Sequence, residues 1–139
     1  MDYAKFEELS GIELGMFVSD VIKRCDVDEG VLAYYQHHRT NLDDPHLEMI
    51  ILLLEKVGTF AALNEVASLL DHPTKFVRYQ AAHVIANASS LDENAMAKVI
   101  CVLSSHRYPN DIIKIEDALL RGGTKAARTL ATCFRDANR

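Results

Sequence analysis

The sequence predicts an all-α fold, a short right-handed α–α solenoid of about three helical hairpins with capping helices at both ends. Three observations predict it. Apolar residues recur at helical spacing nearly throughout, with no strand-like alternation between the runs. Each of the three prolines, in Asp44-Pro45, His72-Pro73 and Tyr108-Pro109, stands just ahead of such a run. The 139 residues are 49% hydrophobic and 25% charged, with six glycines and no tryptophan. That balance fits one soluble domain over residues 1–139 and excludes a disordered chain, a collagen-like chain and a β-sandwich.

Residues 2–24 are expected to form one or two capping helices, so that 1–28 closes the N-terminal end. Outer helices follow at 29–40, 60–71 and 92–105, and inner ones at 45–57, 74–88 and 110–121. A last helix at 124–136 closes the C-terminal end. The runs that carry these segments include Leu63, Val66, Leu69 and Leu70, then Phe76, Val77, Ala81, Val84, Ile85 and Ala88. Met96, Val99, Ile100 and Leu103 come next, followed by Ile112, Ile113, Ile115, Ala118 and Leu119, and finally Ala126, Ala127, Leu130, Ala131 and Phe134.

Punctuation falls between the runs. Gly58-Thr59 reads as a C-terminal stop followed by an N-cap. Ser90-Leu-Asp-Glu93 has the spacing of a capping box, and Gly122-Gly123-Thr124 ends one helix and caps another. Proline suits the first helical turn, where its missing N–H has no intrahelical partner to lose. Aligning on the prolines, 28 and 36 residues apart, pairs Met49 with Val77 and Ile113, Ile51 with Tyr79 and Ile115, and Leu54 with Ala82 and Ala118. A lone hairpin cannot bury its own apolar face, so the hairpins at 29–121 are expected to stack.

The stretch Asp71-His-Pro-Thr-Lys-Phe-Val-Arg78-Tyr-Gln-Ala-Ala-His-Val-Ile85 resembles the second half of a HEAT repeat. Asp71 and Pro73 take the turn positions of that pattern, Val77 and Arg78 its Val-Arg pair, Ala81 and Ala82 its small pair, and Ile85 its aliphatic. The likeness weakens around Pro109, where Lys114 replaces the arginine and Asp117 a small residue. It weakens further around Pro45, where Ile50 stands at the arginine place, and residues 1–28 show none. The resemblance implies an α-solenoid that binds other macromolecules, chiefly proteins, with Arg78 holding the repeat together and Asp71 placed to cap. It implies no reaction.

Charge is unevenly spread. Residues 1–70 hold 13 acids and 5 Lys/Arg, a balance of −8, whereas 71–139 hold 7 acids and 10 Lys/Arg, a balance of +3. Acids crowd at Asp26, Asp28 and Glu29 and again at Asp43, Asp44 and Glu48. Such a field steers a basic partner and repels nucleic acid.

No pattern for catalysis stands out. Ser10, Ser19, Ser68, Ser89, Ser90, Ser104 and Ser105 have no strand–turn–helix elbow, and neither a P-loop nor G-x-G-x-x-G is present. His37, His38 and His46 offer a metal trio on paper. Adjacent helical residues point about 100° apart, however, so only one of the first two faces a given site. No cofactor, metal or enzymatic activity is expected. Cys25, Cys101 and Cys133 are odd in number and far apart, as suits reduced thiols, at least two of them packed on helices. The first residues lack a basic stretch leading into an apolar run, and Met49–Leu54 is far short of the about 20 residues that span a bilayer. A cytoplasmic location without membrane contact is therefore expected.

The expected function is a non-catalytic protein-binding module whose partner has a basic surface. Candidate contacts are Asp43, Asp44, Glu48 and Glu55 from the first hairpin, with Arg78, His83 and Asn87 from the second. A small, acidic, catalytically empty protein suits an immunity or antitoxin role against a basic toxin such as a nuclease, whose cleft must attract phosphate. Two alternatives compete. One is nucleic-acid binding through a C-terminal basic strip of Lys75, Arg78, Lys114, Arg121, Lys125, Arg128 and Arg135, which the overall acidity and missing tryptophan disfavour. The other is a scaffold subunit of a larger complex.

Overall fold

In the computed structural model, which describes residues 1–105, 107–121 and 124–137, the chain is all-helical. Nine helices follow in order among the described residues: α1 (Tyr3–Glu8), α2 (Gly11–Lys23), α3 (Gly30–His38), α4 (Asp44–Val57), α5 (Phe60–Ala67), α6 (Lys75–Asn87), α7 (Glu93–Ser104), α8 (Pro109–Arg121) and α9 (Lys125–Ala137). Every expected helix is present. The N-terminal segment divides into two, because Leu9 and Ser10 are extended and Ser10 becomes the N-cap residue of α2.

The chain divides into two compact units, Met1–Gly58 and Thr59–Arg139. In the N-terminal unit α1 packs on α2, and both α2 and α3 pack on α4. Its core is Phe6, Leu14, Val18, Val21, Val31 and Tyr35 together with Leu47, Ile50, Ile51, Leu53 and Leu54 of α4. In the C-terminal unit α5 packs on α6 and α7, α6 on α8, α7 on α8 and α9, and α8 on α9. Val66, Leu70, Val77, Ala81, Ile85, Val99, Ile115 and Leu119 are fully or almost fully buried there.

The helix ends follow from local chemistry. Gly58 closes α4 at φ +69°, and its N–H donates to the Leu54 carbonyl at 3.0 Å. Thr59 then caps α5, its Oγ1 accepting from the Ala62 amide at 3.2 Å. Thr124 likewise accepts from the Ala127 amide at 3.0 Å to start α9. Gly122 and Gly123, expected to end α8, lie outside the described residues. An added Cβ at Gly58 meets the Glu55 carbonyl only at 3.5 Å, so backbone conformation sets the penalty there. Gly58→Ala should cost about 1–2 kcal/mol through the left-handed φ, read as a lower thermal midpoint in circular dichroism.

Several local expectations give way. Asp92, not Ser90, is the N-cap of α7; its Oδ1 accepts from the Ala95 amide at 2.9 Å, and it also receives Nδ2–H of Asn64 from α5. Asp71 does not cap α6, whose N-cap residue is Thr74, three residues later, and it faces Arg107 at 3.9 Å instead. Pro45 and Pro109 sit in the first turns of α4 and α8, but Pro73 precedes the Thr74 cap and lies outside α6. Proline therefore marks a different helical position in each segment, and alignment on it slips.

Aligned on their first residues, the three helices superpose their buried positions. Ile50, Ala81 and Ile115 are equivalent, as are Leu54, Ile85 and Leu119, and all six are buried. Phe76 and Ile113, counted among the apolar runs, fall on outward faces and are 65% and 62% exposed. The cysteines are also exposed. Cys101 and Cys133 do lie on helices, but α7 buries Val99, Val102 and Leu103, and α9 buries Ala127 and Ala131, which turns both thiols outward.

Candidate protein-binding surfaces

The acidic surface of the N-terminal unit is built on α4. One face of this helix is buried and, apart from His46, apolar, so its acidic residues lie outside that face. Asp44, Glu48 and Glu55 recur there at helical spacing, all half-buried, and Asp43 precedes them as the exposed N-cap. Asp43 Oδ1 accepts from the His46 amide at 2.9 Å and lies 2.6 Å from His46 Nδ1. Partial burial opposes ionisation of Asp43, but the hydrogen bonds from the His46 amide and ring outweigh it and hold the carboxyl below its ordinary range.

His46 is buried, with Nε2 at 3.0 Å from the Phe6 carbonyl and its ring edge-on to Phe6. Both ring nitrogens thus face oxygen atoms, Nδ1 the Asp43 carboxylate and Nε2 the Phe6 carbonyl. This residue ties α1 to the start of α4 and is not available for the paper metal trio with His37 and His38. No group of three His, Cys, Asp or Glu side chains among the described residues is placed to hold a metal ion.

Glu48 carries a different signature. Burial, and then the negative charge of Asp44 one turn earlier, push its carboxyl above the ordinary value. Folding therefore places two like charges together on a partly desolvated surface. The folded state holds the Glu48 proton more tightly than the unfolded chain, so the ionised carboxylate opposes folding above its raised value. That penalty fades as pH falls through this value toward the ordinary glutamate range. Glu48→Gln should accordingly raise stability at pH 7 by a few tenths of a kcal/mol, about 1–2 °C in thermal midpoint, and leave it unchanged near pH 3.

Beside this helix lies a shallow pocket of about 310 Å³ lined by Glu7, Tyr34, Asn41, Leu42, Asp43 and His46. Tyr34 donates its hydroxyl to Glu7 Oε1 at 2.8 Å and stacks on Tyr3 with ring centroids 4.4 Å apart. Burial, followed by the hydrogen bond to the Glu7 carboxylate, raises the Tyr34 phenol well above its ordinary value, which keeps that proton in place at neutral pH. Neither Glu7 nor Tyr34 was legible as a surface residue, since their contact spans 27 residues.

In the C-terminal unit, the three candidates separate. Arg78 is 4% exposed and is committed to structure. Its Nη1 donates to the His72 and Pro73 carbonyls, each at 2.8 Å, and its Nη2 pairs with Asp111 Oδ2. The Tyr108 ring lies under the guanidinium at 3.9 Å, and the Tyr79 hydroxyl donates to the other Asp111 oxygen at 2.7 Å. His83 and Asn87, by contrast, are exposed on α6 and line a groove of about 340 Å³ shared with α8.

The basic strip is thinned in the same way. Arg78 is spent on Asp111, and Arg135 pairs with Asp117 and lies 4.0 Å from Glu116. No helix among the described residues is long and apolar enough to cross a membrane. No protein-family model, curated protein or solved structure matches the chain.

Proposed function

We propose that the chain is a non-catalytic protein-binding module made of HEAT-like helical hairpins, and that the α4 surface of its N-terminal unit receives a protein with a basic face. One observation carries the reading: Asp44, Glu48 and Glu55 gather on one partly buried helical face, with Asp43 at its N-cap. Such a concentration of acids attracts a partner of opposite sign and speeds its docking.

Charge balance supports it. The N-terminal unit holds 12 acids and 5 Lys/Arg, a balance of −7, and the C-terminal unit 8 acids and 10 Lys/Arg, a balance of +2. The repeat reading draws support from the shared register of buried positions in α4, α6 and α8, and from Arg78 holding the turn before α6. A toxin nuclease is the kind of basic partner this charge suits, which makes the chain an immunity or antitoxin protein that acts by covering a phosphate-binding cleft. Nucleic-acid binding through the basic strip loses two of its seven residues, Arg78 and Arg135, to ion pairs.

Affinity capture tests the proposal. The tagged protein, and a variant with Asp43→Asn, Asp44→Asn, Glu48→Gln and Glu55→Gln, are used as baits in the native lysate. One stoichiometric basic protein that elutes from the wild type at high salt and is missing from the variant is the expected outcome. Equal recovery on both baits, or recovery of nucleic acid alone, refutes it.

A further inference from the structure

The groove between α6 and α8 belongs wholly to the C-terminal unit and has the opposite electrostatic character to α4. Along α6, Lys75, Tyr79, His83 and Asn87 recur every four residues and so form one stripe. Lys114, Asp117, Ala118 and Arg121 of α8 face it, and the buried Ala86 supplies a small floor that lets the groove form. The two helices pair start to start and end to end: Arg78 meets Asp111 early in both, and Asn87 and Arg121 close the far end of the same groove.

Three cations stand on this surface. Lys75, Lys114 and Arg121 are exposed and make no ion pair among the described residues. The two lysine ammonium groups converge on the single Tyr79 ring, at 5.7 and 5.2 Å from its centroid. Lys75 also occupies the first residue of α6, where the helix dipole favours an anion, and the first turn of α6 holds no acid. The acids nearby are already engaged, Asp111 by Arg78 and Tyr79, and Asp117 by Arg135. Lys114 and Arg121 thus line a preformed polar groove, and Lys75 stands beside it over the Tyr79 ring it shares with Lys114.

We propose that this groove binds an extended acidic peptide segment, its carboxylates meeting Lys75 and Lys114 at one end and Arg121 at the other. A twelve-residue span along α6 is about 18 Å, enough for five or six residues of extended peptide. The His83 ring, and Asn87 at the far end, add hydrogen-bonding groups along the stripe. A nucleic-acid strand fits less well. The Tyr79 hydroxyl is tied to Asp111 and its ring is covered by the two lysines, so it offers no face for base stacking. The net charge of −5 also penalises a long polyanion more than a short one.

The test is fluorescence anisotropy of a labelled hexaglutamate peptide, with a labelled hexathymidylate strand alongside, titrated with the full chain at low and at 300 mM salt. The expected result is peptide binding at low salt that weakens about tenfold or more at high salt and in the Lys75→Glu, Lys114→Glu double variant. A control with the same charge change elsewhere, Lys125→Glu with Arg128→Glu on the exposed face of α9, should keep wild-type affinity. All exchanged side chains are exposed, and circular dichroism checks the fold. No peptide binding, an equal loss in both variants, or tighter binding of the thymidylate strand would overturn the proposal.

Discussion

Replacing Arg78 by alanine is expected to cost the C-terminal unit about 3–5 kcal/mol, the largest effect of any single polar substitution here. The guanidinium is buried and satisfies two turn carbonyls, an Asp111 carboxylate and the face of Tyr108 at once. Its removal takes the buried ion-pair partner from Asp111, which keeps the Tyr79 hydroxyl, and strips both carbonyls of the Arg78 donor. At that cost the thermal midpoint of the unit should fall by more than about 12 °C. Replacing both partners by apolar residues, Arg78→Met with Asp111→Leu, should be less damaging than Arg78→Ala, because no buried charge is left behind.

The same cluster sets an acid limit. The hydrogen bond from Tyr79 lowers the Asp111 carboxyl, burial opposes this, and the hydrogen bond and charge of Arg78 add to the lowering. The folded chain therefore binds this proton more weakly than the unfolded chain. Its stabilisation is present above the ordinary aspartate range and disappears as pH falls through the depressed value, below about pH 4. Asp111→Asn should start from a lower midpoint at pH 7 and lose less of it in acid than the wild type.

Neutralising the α4 surface should have the largest effect on binding. With Asp43→Asn, Asp44→Asn, Glu48→Gln and Glu55→Gln together, association with the captured basic protein should slow about 10- to 100-fold at low salt. The wild-type rate should fall steeply with salt and the variant rate should barely respond. Folding should survive, since asparagine keeps a capping oxygen at position 43 and loss of charge at Glu48 removes a penalty. Stopped-flow mixing at two salt concentrations reads both effects.

Helices were legible in this sequence because period, cap and stop coincide. Gly58-Thr59 is the clearest case: the left-handed glycine and the capping threonine stand where the two residue types require. The end of α5 was less legible. Residues 68–71 were expected to continue it, but the chain tightens after Ala67, with the Leu69 and Leu70 amides donating three residues back. Ser68-Leu69-Leu70 is as apolar in a turn as in a helix, so hydropathy alone does not separate the two.

Contacts at long separation were the hidden part. Arg78 stands out locally, but its partner Asp111 is 33 residues away and looks like an ordinary first-turn acid. The pairing of Phe6 with His46 spans 40 residues and has no local pattern either. On the surface, Asp43, Asp44, Glu48 and Glu55 were readable because a buried α4 face leaves only one place for charge. The α6–α8 groove was half readable: His83 and Asn87 stand out on α6, but the convergence of Lys75 and Lys114 on Tyr79 depends on how the two helices pack.

The most direct measurement is zero-length carbodiimide cross-linking of the captured complex, followed by mass spectrometry of the joined peptides. The reagent couples only carboxylates to amines already in contact. A basic partner docked on α4 should give lysine cross-links to Asp43, Asp44, Glu48 or Glu55 that vanish in the neutralised variant. Cross-links confined to carboxylates of the C-terminal unit, with none on α4, would contradict the account.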